Sequence, residues 1–241
     1  MYFWHQERDG APRGTADIDS VFLAEDWPTL EEARPRIIAL DADLRALGLQ
    51  PDRGEKWKAS RTAQFTYRAP GKEARIELLC GQLAFGRRSR RTPAWKLLTL
   101  EGRETLYASR LEVLDDVPSW RAITVAMQAE QATIEIPSIP GMMHLKLKAV
   151  VDKIGRYADE TVPHKRDHEL GRLTRHATDF TFLLKWARET PTELAAFNAL
   201  TRSTPSAGEN LKRLRSKIQA ERPAPELAQL FLDLRQAIAS I

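Results

Sequence analysis

Apolar residues recur along the chain with two periods. Val21, Phe22 and Leu23 close a short strand that opens at Asp17. Thr29-Leu30-Glu31-Glu32 then has capping-box spacing. Leu30, Ala33, Ile37, Leu40, Leu44 and Leu47 follow at helical intervals up to Gly48, with Pro35 confined to the early turns. From Arg61 the period becomes two: Ala63, Phe65 and Tyr67 alternate, Pro70-Gly71-Lys72 turns the chain, and Arg75-Ile76-Glu77-Leu78-Leu79-Cys80 returns as the second strand of a hairpin. Residues 97–113 read as two or three short strands, 120–129 as a short helix, and 132–136 as a strand ending at Pro137-Ser138-Ile139-Pro140-Gly141.

That proline-rich turn is the expected boundary between a mixed α/β domain, residues 1–140, and a helical domain, residues 141–241. Met143, Leu147, Val150, Val151 and Ile154 form the stripe of a helix beginning near Gly141. Lys146 stands at the edge of this stripe, where a lysine either snorkels to solvent or meets an anion in a cleft, and Lys153 shares its face. Residues 162–169 read as a charged connector into a helical region over 170–187. Three further helices are expected over 191–202, 211–220 and 225–241, with breaks at Thr204-Pro205-Ser206-Ala207-Gly208 and Pro223-Ala224-Pro225. The fold class is α+β, a mixed sheet with flanking helices followed by a helical bundle.

At 241 residues the chain can bury a sizeable core. No apolar run approaches a membrane span and the N-terminus turns charged too soon for a secretory signal, so a cytoplasmic protein is expected. The single cysteine, Cys80, excludes an internal disulfide and any cysteine-based zinc cluster. A net charge of +4 permits a phosphate-rich partner without requiring one.

Candidate chemistry begins at Asp17-Ile18-Asp19. On a strand both aspartates share a face, and like charges so placed call for a cation, a hydrogen-bonding partner or open solvent. Glu77 is an acid between Ile76 and Leu78 in a second strand, either paired on its polar face or completing a three-acid metal cage. Arg87-Arg88-Ser89-Arg90-Arg91, close to Trp95 and Lys96, is either a solvated basic loop or a path for a nucleic-acid backbone. His164 and His168 have the i,i+4 spacing of a zinc pair, but spacing specifies no third ligand.

Taken together, the chain resembles the DNA polymerase beta-like nucleotidyltransferase superfamily, and within it the AbiEii-type toxin nucleotidyltransferases. Residues 13–19, R-G-T-A-D-I-D, look like the family's R-x-T-x-D-I-D, and Glu77 stands where the family carries its third acid. The block His144-Leu145-Lys146-Leu147-Lys148-Ala149 is similar to K-L-H-A-L and brings the family's helical lysine onto Lys146, with Lys153 in place of an arginine. Arg175-His176-Ala177-Thr178-Asp179-Phe180 best matches the final K-D-x-x-D-L block and keeps its second acid, Asp179, for which Asp167 competes. The family's Gly-Gly or Gly-Ser turn ahead of the D-x-D strand has no match, since Gly10 is too close to Asp17; the expectation is a start upstream of Met1, or a truncated and inactive relative.

The resemblance implies an enzyme that moves a nucleoside monophosphate from a nucleoside triphosphate to an RNA acceptor of tRNA type, as the toxin of a toxin–antitoxin pair with its antitoxin as partner. It implies a two-metal Mg²⁺ site at Asp17, Asp19 and Glu77, nucleotide contacts from Arg13, Thr15, Lys146 and Lys153, and Asp179 orienting Lys146 or the acceptor. Two readings compete: the same fold as a nucleotide- or RNA-binding module without catalysis, and a protein-interaction scaffold built on the C-terminal helices.

Overall fold

A computed structural model describes residues 17–22, 30–51, 62–64, 66–68, 75–80, 94–99, 105–110, 114, 116–127, 130–219, 223–239 and 241, with only the backbone described over several of the strands. The chain is α+β and divides into two compact units, Met1–Asp115 and Asp116–Ile241.

The first unit is built on a seven-stranded mixed sheet. Strand β1 (Asp17–Phe22) runs parallel to β5 (Arg75–Cys80), residue for residue over its whole length. The other edge of β5 pairs antiparallel with β4 (Thr66–Arg68) and then parallel with the end of β7 (Thr105–Arg110). The hairpin expected around Pro70 is therefore present between β4 and β5. Its first arm is divided, however: β3 (Thr62–Gln64) leaves β5 and pairs parallel with β7. The two-residue β2 (Gln50–Pro51) adds to β4, and β6 (Ala94–Thr99) pairs antiparallel with β7.

Helix α1 (Leu30–Ala46) packs against β6 and contains Pro35. Its end is a Schellman motif: Gly48 takes φ of 79°, its N–H bonds to Arg45 O at 2.9 Å, and Leu49 N–H reaches Leu44 O at 3.0 Å. The buried face differs from the expected leucine stripe. Ile37, Asp41 and Leu44 are inside, whereas Leu47 is 77% exposed. Asp41 is tolerated there because the fully buried Tyr67 of β4 donates its hydroxyl hydrogen to the carboxylate and Arg45 Nε bonds both oxygens at 3.0 Å.

The second unit opens with an antiparallel hairpin, β8 (Trp120–Met127) and β9 (Glu130–Pro137). Residues 120–129 were expected to be helical, and this is corrected. Ile123, Thr124 and Val125 form a β-branched run, and they stand opposite Ile134, Thr133 and Ala132, a cross-strand pairing that local periodicity does not display. The hairpin belongs with the helices, so the division falls at residue 115 and the proline turn at 137–141 lies inside the second unit.

Five helices follow: α2 (Ile139–Asp159), α3 (Pro163–Glu189), α4 (Pro191–Ser203), α5 (Pro205–Ile218) and α6 (Pro225–Ile238). Each carries proline in its first turn, where the missing N–H has no intrahelical acceptor to lose. Pro205, expected in a break, is thus a helix start, while Pro223 lies in the break before α6 and Pro225 opens that helix in its first turn. The expected charged connector at 162–169 is the first two turns of α3, and Gly208, expected in a break, is inside α5. Helix α2 packs on α3, α4 and α5, and α6 on α3 and α5. Their core includes Met143, Leu147, Phe180, Leu183, Phe197 and Leu214, with the Phe180 and Phe197 rings edge-to-face at 6.4 Å. No helix among the described residues is long and apolar enough to cross a membrane.

Candidate functional site

The acid positions of the first unit are set by the β1–β5 ladder. Asp19 is the register partner of Glu77, and Asp17, two residues earlier, is opposite Arg75. Because the pleat repeats every second residue, 17, 19 and 77 occupy equivalent positions in it, with 19 and 77 adjacent across the ladder. The side chains of these three acids, the whole of Arg13 and Thr15, and the arginine run at 87–91 lie outside the described residues.

In the second unit the antiparallel seam of α2 and α3 is laced by three polar crossbars that step down one helix as they step up the other. The first is Lys146 with Asp179, Nζ to Oδ2 2.9 Å. The lysine side chain keeps 18% exposure and the aspartate 4%, so the acid is sealed and the ammonium has a path to solvent. Of the two alternatives for Lys146, the structure places it on an anion. Asp167, the competing acid, is exposed on α3.

The second crossbar is Lys153 with Glu169, 2.8 Å, with the lysine side chain 6% exposed. Arg172 approaches the same carboxylate more loosely, at 3.8 Å. Burial lowers the Lys153 ammonium from its ordinary value, opposed by the Glu169 hydrogen bond and charge. Burial by itself raises Glu169, but the hydrogen bond and charge of Lys153, with Arg172 and Arg156, outweigh it and hold the acid below its usual range. Glu169 had no signal in the sequence, since it is far from Lys153 along the chain and meets it only through helix packing.

The third crossbar is structural. Tyr157 donates its hydroxyl hydrogen to Glu226 of α6, while Arg166 lies over the tyrosine ring at 4.5 Å and bonds its hydroxyl oxygen at 2.8 Å. It joins α2, α3 and α6.

His176, one turn before Asp179 on α3, is the residue that sequence reasoning left without a role. Its Nδ1 is buried with no hydrogen-bond partner. Burial, then the charge of Lys146, push its imidazole down to about 4, with Asp179 opposing and Arg172 and Lys153 adding to the fall. The ring is neutral at pH 7, beside the Lys146–Asp179 pair.

A further polar group lies at the start of α2. His144 is fully buried, with Nε2 3.5 Å from Ser206 Oγ and 4.0 Å from Asp116 Oδ2, and Ser206 donates to Asp116. The hydroxyl hydrogen points to the carboxylate, and His144 Nδ1 has no partner, so the hydrogen bonds do not run in the order a nucleophilic triad requires. Burial lowers the His144 imidazole, opposed by Asp116, and the group ties α2 to α5.

No family model matches the chain, and neither a curated protein nor a solved structure does. Among the described residues, no group of three or more histidine, cysteine, aspartate or glutamate side chains is placed to hold a metal ion. What the arrangement offers is therefore of two kinds. In the sheet there are three acid positions in neighbouring register. On the helices there is a lysine anchored by a buried acid and open on one side, with a neutral histidine beside it.

Proposed function

We propose that the chain is a metal-dependent nucleotidyltransferase moving a nucleoside monophosphate from a nucleoside triphosphate to an RNA acceptor of tRNA type, as the toxin partner of an antitoxin. The observation that carries this reading is the parallel register of Asp19 against Glu77, with Asp17 in phase two residues before it. Two aspartate positions of one strand and a glutamate position of its neighbour are brought into adjacent register from positions far apart in sequence, an arrangement whose self-repulsion a shared cation relieves.

Asp17, Asp19 and Glu77 are the residues that would hold Mg²⁺. Bound there, the metal supplies charge neutralisation for the leaving pyrophosphate and acidifies the attacking hydroxyl. Lys146 is the triphosphate contact: Asp179 fixes its ammonium, and its remaining exposure leaves room for a phosphate oxygen. Lys153 adds charge while its own hydrogen bond is spent on Glu169. Arg13 and Thr15, which precede Asp17 in the chain, complete the nucleotide contacts in this reading.

The test is incubation of the protein with each labelled nucleoside triphosphate, Mg²⁺ and total tRNA. Label transfer to RNA is expected, abolished by EDTA and by Asp19→Asn or Glu77→Gln. No transfer with any of the four nucleotides, by protein shown to be folded, overturns the reading.

A further inference from the structure

We infer that the groove between α2 and α5 is a binding site for a sugar phosphate, with Arg156 and Lys217 on the phosphate from opposite walls and Asp159 on the hydroxyls of the sugar. The site is separate from the proposed transferase residues. Gly155, which lines it, follows Lys146 by nine residues, about two and a half turns, and so lies on the opposite side of α2.

Helices α2 and α5 pack together, and beside their contact is an open groove of about 390 Å³. Val151 is the one apolar side chain in its lining among the described residues, and no aromatic ring contributes. Five charged side chains line it as well, and two of them are already answered. Asp152 pairs with Lys148 one turn back on α2, and Arg213 bonds Glu209 at 2.9 Å on α5. Arg156, Asp159 and Lys217 have no hydrogen bond or ion pair from their side chains among the described residues, and Arg156 acts on Glu169 only at a distance.

The groove thus carries one unanswered cation on each wall, with Asp159, the last residue of α2, as its remaining acid. Lys217 is half-buried there. A Cβ on Gly155 would stand 3.9 Å from Lys217 Nζ and meet nothing closer, so packing does not demand a glycine that weakens the helix interior. What the missing side chain provides is open space beneath the ammonium.

Two cations on opposite walls suit a dianion that accepts from both, and a phosphate monoester is such a group. The volume falls in the ~300–1,000 Å³ range of small-molecule sites, so the phosphate comes with a body attached. With no ring to stack a base and little apolar surface, that body is hydroxylated, and the Asp159 carboxylate accepts its hydroxyl hydrogens.

The experiment follows amide chemical shifts of the isotope-labelled full chain as glucose 6-phosphate, glucose and inorganic phosphate are titrated in, without nucleoside triphosphate or Mg²⁺. Glucose 6-phosphate is expected to bind with a dissociation constant of about 1 mM or tighter, the yield of an ordinary ligand of its size, and to move the Gly155 amide. Inorganic phosphate binds severalfold more weakly, and glucose not measurably. Arg156→Gln and Lys217→Gln each weaken glucose 6-phosphate about tenfold, the scale of one charge-assisted hydrogen bond. Asp159→Asn removes most of the preference for glucose 6-phosphate over inorganic phosphate. Gly155→Leu keeps both cations, favours the helix and fills the groove, so it abolishes binding while its urea midpoint shows the fold intact. No binding of glucose 6-phosphate, equal binding of inorganic phosphate, or affinity unchanged in Gly155→Leu or in the combined Arg156→Gln and Lys217→Gln variant overturns the site. The titration uses neither metal nor nucleotide, so a failed transfer assay leaves its result standing.

Discussion

Lys146 and Asp179 share a hydrogen bond of 2.9 Å but not an environment, since the acid side chain is 4% exposed and the lysine 18%. Removing the lysine takes a charged partner from a buried carboxylate, and removing the charge of the acid leaves an ammonium that can turn to water. Lys146→Met is therefore expected to lose about 3 kcal/mol of stability and Asp179→Asn about 1 kcal/mol, measured by urea unfolding at pH 7. Equal losses would mean that the lysine is as sealed as its partner.

Asp19 and Glu77 are register partners on parallel strands, so in metal-free buffer their charges oppose each other. Asp19→Asn and Glu77→Gln are each expected to stabilise the metal-free protein by about 0.5 kcal/mol and to erase the rise in melting temperature that Mg²⁺ gives the wild type. Thermal melts with and without Mg²⁺ check both at once. A wild-type melting temperature indifferent to Mg²⁺ would count against the metal site.

Much of this arrangement was legible in the residues before any coordinates. The D-x-D strand, the helix ending at Gly48 and the edge position of Lys146 each follow from a local rule, and the structure contains all three. What escaped was tertiary or ambiguous. Residues 120–127 carry a β-branched run whose strand partner lies across a hairpin. A proline between two helical stretches marks an end and a start equally well, and here Pro163 and Pro205 are starts. Glu169 acquires its partner Lys153, and His176 the nearby charge of Lys146, only when α3 lies antiparallel on α2, and nothing in their spacing announces it.

His176 makes the second unit acid-sensitive. Its folded value of about 4 lies below the 6.5 of an unfolded histidine, so between these pH values the unfolded chain binds a proton that the folded one refuses. Stability from this group is complete above pH 6.5 and falls as pH drops toward 4, by about 2 kcal/mol between pH 7 and pH 5. His176→Gln is expected to remove that component, giving a shallower stability profile than the wild type over the same range in urea titrations. The remaining slope belongs to groups such as His144, whose imidazole burial also lowers. Parallel profiles for variant and wild type would place the acid sensitivity elsewhere.

Two glycines inside helices separate a packing requirement from a propensity defect. A Cβ at Gly208 of α5 would stand 2.6 Å from the carbonyl oxygen of Thr201 on α4, a backbone atom that cannot swing aside, so the two helices approach through this position. A Cβ at Gly171 of α3 meets nothing within 4 Å, and the residue is exposed. Alanine gains about 1 kcal/mol over glycine in a helix interior wherever it fits. Gly171→Ala is therefore expected to stabilise by about 0.5–1 kcal/mol. For Gly208→Ala the same gain is outweighed by the displacement of α4 from α5, for a net loss of about 1–2 kcal/mol. The sign difference is read from urea midpoints at constant slope. A stabilising Gly208→Ala would show that α4 and α5 can separate freely at this crossing.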